Sequence, residues 1–212
     1  MFKNSKVYMP TFILIAVNVA VYAWTSFLSG NVFEMSDSVL LQYGQFNPYV
    51  LNGEVWRLLT AMFVHANIAH IVGNMLFLFI YGLRAENLFD LKEYLLIYFL
   101  SGFAGGILTF LFPLLFPSLM EFGIVSVGAS GAIFGMLGAV AVYARRAIGQ
   151  SILSALMYVF FLFFINLGPN VNYFAHLGGL AVGLLIGYML ATTRRPHQVV
   201  TYEHNYKSSY RQ

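Results

Sequence analysis

Apolar residues along this chain gather into long runs. Six of them, near 9–28, 58–83, 94–116, 127–144, 148–166 and 171–192, meet or approach the roughly 20 residues that a helix needs to cross a hydrocarbon core of about 30 Å. Within lipid a helix is the expected element, because it satisfies its own backbone hydrogen bonds. The pattern predicts an all-α polytopic membrane protein: a six-helix membrane domain over residues 1–195, then a polar cytoplasmic tail over 196–212. Between the first two runs, residues 29–57 are amphipathic without being apolar enough to span. A structured outer loop is expected there, punctuated by Asn47-Pro48 and Gly53-Glu54. Ser101-Gly102, Gly105-Gly106 and Pro113 in the third run imply close packing and a kink or early exit. The fifth run has few small residues and is expected at the periphery, facing lipid.

Composition agrees: 59% of the 212 residues are hydrophobic and 9% charged, against about 25% charged in soluble domains. With no cysteine, disulfides, thiolate metal sites and a cysteine nucleophile are excluded together. The net charge of +3 reads as topology rather than nucleic-acid binding once the charges are located. Lys3, Lys6, Arg84, Lys92, Arg145, Arg146, Arg194, Arg195, Lys207 and Arg211 all fall on one side of the predicted helices. By the positive-inside rule that side is cytoplasmic, with both termini on it. The first run is too long for the core of a cleaved signal peptide. Arg57 alone falls outside. Next to Trp56 it is either an interfacial anchor or a brace holding the outer loop from within.

Polar groups inside apolar runs are costly and point to function. Those in question are His65, His70, His176, Asn67, Asn74 and Ser130. At 1.5 Å per residue from the cytoplasmic charges, Ser130 lies roughly 22 Å from Arg145, His70 roughly 21 Å from Arg84, His176 about 27 Å from Arg194 and Asn74 about 15 Å from Arg84. All four can meet in the outer half of the bilayer. Ser130 sits in Gly128-Ala129-Ser130-Gly131, where glycines let other groups approach its hydroxyl. His176, Gly179, Gly183 and Gly187 share one helix face, and Gly131, Gly135 and Gly138 lie along the other partner, so packing the two would bring His176 to Ser130. His70 and Asn74 share a face, whereas on a helical wheel His65 points about 140° away. Each group has a plainer reading: the Ser-Gly cluster as helix packing, His176 and Asn74 as interhelical hydrogen bonds. A three-histidine metal site is disfavoured by the divergent His65 and by the lack of a carboxylate at that depth.

Together these residues resemble the rhomboid family of intramembrane serine proteases. The resemblance runs through Gly53-Glu54-Val55-Trp56-Arg57, through His65, His70 and Asn74, through Gly82 and Glu86, through Gly128-Ala129-Ser130-Gly131, and through Ala175-His176 with Gly179 and Gly183. It implies a rhomboid-like bundle in which Ser130 is the nucleophile and His176 the general base and then acid, with no carboxylate completing a triad. His70, Asn74 and the Ser130 N–H would stabilise the oxyanion, and Phe134 would pack on the histidine where some members have tyrosine. Trp56, Arg57, Glu86, Gly128, Gly131, Gly179 and Gly183 would give structural support. No cofactor or metal is implied. The expected partners are transmembrane protein substrates and the bilayer, cut near the outer leaflet, in the plasma membrane of a prokaryotic cell; neither motif nor composition fixes an oligomeric state. From another class, a non-catalytic scaffold or quality-control factor would bind transmembrane helices with the same fold, but it has no need of both Ser130 and His176. A small transporter would be expected to gather its polar groups at the midplane.

Overall fold

Pro10 opens the first long helix, α1 (Pro10–Ser29), where its missing N–H is no loss, and Gly30 ends it in the left-handed region at φ 63°. This computed structural model describes residues 9–118, 121–147, 151, 153, 156–157 and 171–193. The fifth apolar run, apart from those isolated positions, and the tail 196–212 lie outside the described residues. Among the described residues, four helices are long and apolar enough to cross a membrane: α1, α5 (Ile68–Leu88), α6 (Leu91–Leu115) and α8 (Tyr173–Thr193). The chain is thus an integral multi-pass membrane protein. A further helix, α7 (Ser130–Ala147), is enclosed by the others, with Gly131 through Val142 all buried.

The second apolar run does not form one helix. Arg57–Thr60 is a short helix, α4, followed by a 3-10 turn at Ala61–Phe63 and extended backbone at Val64. Asn67 then caps α5, its side-chain oxygen accepting from His70 N at 2.8 Å. Ala61, Met62 and Val64 are buried by protein, so their apolarity reflects an interior rather than lipid. At the start of α6, Asp90 and Glu93 form a capping box, each side chain accepting from the other's backbone N–H at 2.9 Å. Glu86, near the C-terminal end of α5, accepts from Thr11 N at 2.9 Å and so satisfies one of the N–H groups left open by the first turn of α1.

The segment between α1 and α5 contains α2 (Asp37–Tyr43), β1 (Gln45–Phe46) and α3 (Asn47–Leu51) ahead of α4. The molecule is therefore not wholly helical: β1 pairs antiparallel with β2 (Val125–Ser126), Gln45 opposite Ser126 and Phe46 opposite Val125. Buried amides fasten the loop to α6. Gln45 Nε2 donates to Gly106 O at 2.9 Å and to Asn47 Oδ1 at 3.0 Å, while Asn47 Nδ2 donates to Thr109 O at 3.0 Å. This ribbon leads directly to the segment that opens α7.

Helices α6, α7 and α8 meet at glycines. A methyl group built on Gly179 would collide with the Gly131 carbonyl, one on Gly183 with the Gly135 carbonyl, and one on Gly105 would lie 2.6 Å from Ala175 O. The backbones approach closely only because those side chains are absent. The larger core beside them is built from Leu78, Tyr94, Ile97, Tyr98 and Met136, all nearly inaccessible.

Candidate active site

Ser130 is the first residue of α7, so its N–H has no acceptor within the helix and stands at the positive end of the helix dipole. Two residues earlier the chain turns at Gly128, with φ 118°, a conformation that side chains disfavour. Gly128 N donates to Ala61 O at 3.0 Å, which fixes this turn against the outer segment. A methyl group on Gly128 would lie 2.7 Å from His70 Nε2 and 3.6 Å from Asn74 Nδ2. Glycine therefore lets the His70 ring reach the backbone beside Ser130, while the Asn74 amide lies at ordinary contact distance from the same position.

The orientation of those two side chains follows from their other contacts. His70 Nδ1 faces Ala66 N at 3.5 Å as a weak acceptor, a pairing that assigns the ring hydrogen to Nε2, the atom near Gly128. Asn74 Nδ2 donates to His70 O at 3.1 Å and keeps a second hydrogen for another acceptor. On the opposite side of the site, Phe134 lies one turn beyond Ser130 and stacks on His176, ring centroids 4.3 Å apart and planes 22° apart. A methyl group on Gly131 would meet Ala175 O at 3.0 Å, so the residues next to Ser130 and His176 are in backbone contact. His70, Asn74, Ser130, Phe134 and His176 all border one cavity of about 880 Å³, which also reaches Ser126 and Asn172. Among the described residues, no three His, Asp or Glu side chains are grouped to hold a metal ion.

The supporting positions separate. Trp56 is 58% exposed, whereas Arg57 is 7% exposed and turned inward. Arg57 donates to Glu54 Oε2 at 2.6 Å, Leu41 O at 3.0 Å and Gly44 O at 2.6 Å, and stacks over the Tyr49 ring. It braces the loop, and its loss would leave the buried Gly44 carbonyl without this donor, at about 1–3 kcal/mol.

His65 contradicts the helical-wheel expectation. Since α5 starts at Ile68, His65 lies in the preceding extended segment, and its ring packs edge-on against His70 with centroids 5.1 Å apart. There, outside the spanning helices, burial and then the neighbouring His70 push its pKa down to about 3. Asn172 was not singled out by sequence reasoning, although an asparagine directly before an apolar run is a cap signal. It starts α8 and borders the cavity.

Residues 52–193 match the family model described as Rhomboid domain. The chain is 41% identical over 163 residues to "RHOMBOID-like protein 6, mitochondrial" of Arabidopsis thaliana, covering 73% of this chain and 50% of that protein. It is 33% identical over 186 residues to "Putative rhomboid protease YdcA" of Bacillus subtilis (strain 168), covering 84% of this chain and 86% of that one. "Rhomboid protease GluP" of the same bacterium is 33% identical over 197 residues, 86% of this chain and 34% of that protein. The chain thus spans about half the length of the plant relative and about a third of GluP.

Proposed function

The chain belongs to the rhomboid family, and from that premise we propose that it is an intramembrane serine endopeptidase working through a Ser130–His176 dyad. The observation that carries the proposal is the convergence of two kinds of group on one cavity: a serine and a ring-stacked histidine on touching backbones, and two polar α5 side chains, His70 and Asn74, beside Gly128.

The chemistry follows from the groups. A serine hydroxyl is a weak nucleophile until a base takes its proton, and neutral imidazole is such a base. His176 accepts the Ser130 proton as Oγ bonds to the scissile carbonyl carbon. The carbonyl oxygen, now an anion, receives hydrogen bonds from the Ser130 N–H, His70 Nε2 and Asn74 Nδ2. Held in place before the reaction in a low-dielectric setting, such donors count for more than in water. His176 then gives its proton to the leaving amine, the C–N bond breaks, and water entering from the outer face hydrolyses the acyl-enzyme by the same steps in reverse roles. Stacking on Phe134 steadies the imidazole, as a phenyl ring has no hydroxyl to bond it.

The positively charged segments support cytoplasmic termini, and the depth of Ser130 counted from Arg145 supports a cut near the outer leaflet; the bacterial relative matched over most of its length supports a place in the plasma membrane of a prokaryotic cell. The substrates are transmembrane segments of other proteins. The test is cleavage of a single-pass substrate in proteoliposomes by the native chain, Ser130→Ala and His176→Ala. Both variants are expected to stay folded and lose cleavage. Turnover in either comparable to the native chain would overturn the dyad, and retention of substrate without cleavage by the native chain would favour a scaffold.

A further inference from the structure

The start of α8 depends on one amide. Asn172 Oδ1 accepts from Ala175 N at 3.0 Å, and Asn172 O accepts from His176 N at 3.3 Å, so this residue closes the first turn of the helix that carries His176. The same side chain reaches two other elements. Its Nδ2 donates to Thr109 Oγ1 of α6 at 2.9 Å and to Ser126 Oγ of β2 at 2.7 Å. The amide cannot be reversed: Thr109 spends its hydroxyl hydrogen on Gly105 O at 2.9 Å and so offers Asn172 only a lone pair. All three of the amide's polar directions are used, one within α8 and two across the fold.

The two segments it joins are those that carry the reacting groups. Ser126 stands four residues before Ser130, and Asn172 four before His176. Phe174, between Asn172 and His176, stacks on Phe112 of α6 with centroids 3.7 Å apart, and Ala175 packs against Gly105 and Gly131, so the turn is held on α6 and α7 as well. The tie from Asn172 to Ser126 is the side-chain hydrogen bond that joins this turn to β2.

We propose that Asn172 is a positioning residue that fixes the distance between His176 and Ser130 by tying the first turn of α8 to β2 and α6. The inference rests on the reading of His176 as the base. It separates capping from tying. Asn172→Ser keeps a capping oxygen but is too short to reach Thr109 and Ser126 as well, whereas Asn172→Ala loses everything. Misplacement of a reacting group by about 1 Å costs on the order of 10²-fold.

The test measures kcat and KM in proteoliposomes, normalised to folded protein, for Asn172→Ser, Asn172→Ala, Ser126→Ala and the double variant Asn172→Ser/Ser126→Ala, beside His176→Ala. Asn172→Ser is expected to fold and to lower kcat about 10- to 100-fold with KM within about twofold. Ser126→Ala alone is expected to lower kcat, and to lower it no further once Asn172 is serine, since both act through one bond. An inactive His176→Ala beside an Asn172→Ser of native kcat overturns this inference alone, as does a Ser126→Ala loss that is undiminished in the double variant. An active His176→Ala overturns the base reading and this inference with it.

Discussion

If Asn74 and His70 stabilise the oxyanion as proposed, their effect should appear in kcat. Removing one oxyanion donor typically costs about 10²- to 10³-fold. Asn74→Ala is therefore expected to lower kcat by up to that amount with KM little changed; a large KM effect at native kcat would assign Asn74 to substrate binding instead. Because His176 must be neutral to take a proton, kcat/KM is expected to fall on acidification with the slope of a single proton. A rate profile flat from pH 8 to pH 3.5 in protein that stays folded would contradict His176 as base. That Ser130, His176, His70 and Asn74 border one cavity was legible in the sequence because each lies on a definite face of a continuous helix. His65 was not, since the wheel that turned it away assumes a helix that begins only at Ile68. Asn172 was hidden for another reason: its partners Ser126 and Thr109 lie 46 and 63 residues away, and only the packed molecule brings them together. Trp56 and Arg57 show the same limit at neighbouring positions, one facing outward and the other buried among carbonyls.

Among the elements, the contact of α7 with α8 governs the site. Gly179 and Gly183 face the carbonyls of Gly131 and Gly135 directly, so an added side chain must push backbone rather than a flexible tip. Gly179→Val is expected to lower thermal stability, by about 1–3 kcal/mol if the helices part only locally, and to depress activity by moving His176 from Ser130. Thermal unfolding in detergent beside a cleavage assay measures both, and a variant with native stability and native rate would contradict the packing described. The glycine stripe was readable from spacing alone. The division of the 58–83 run was not, because hydropathy reports burial without saying whether lipid or protein does the burying. The two-residue strands β1 and β2 carry no alternating pattern long enough to notice, although they set the approach to Ser130.

For the molecule as a whole, the outer-half depth expected for Ser130 decides what can be cut. A substrate arrives as a helix whose carbonyls are already hydrogen-bonded, and unwinding it in lipid is costly. Gly or Pro near the site lowers that cost, and a small residue before the cleaved bond fits beside the α7 glycines. Single-pass substrates with a small residue near the outer end of a weakened helix are expected to be cleaved best. Replacing the weakening residues with leucine should slow cleavage, and undiminished cutting of the all-leucine helix, or cuts in its cytoplasmic half, would contradict the depth. Beneath all of this lies the claim that Ser130 is an activated nucleophile. It is tested most directly by intact mass measurement of the purified protein after treatment with a fluorophosphonate. One adduct per chain is expected, mapped to Ser130, absent from Ser130→Ala and much slowed in His176→Ala; no adduct on the folded native chain, or equal labelling of Ser130→Ala, would rule out Ser130 as an activated nucleophile.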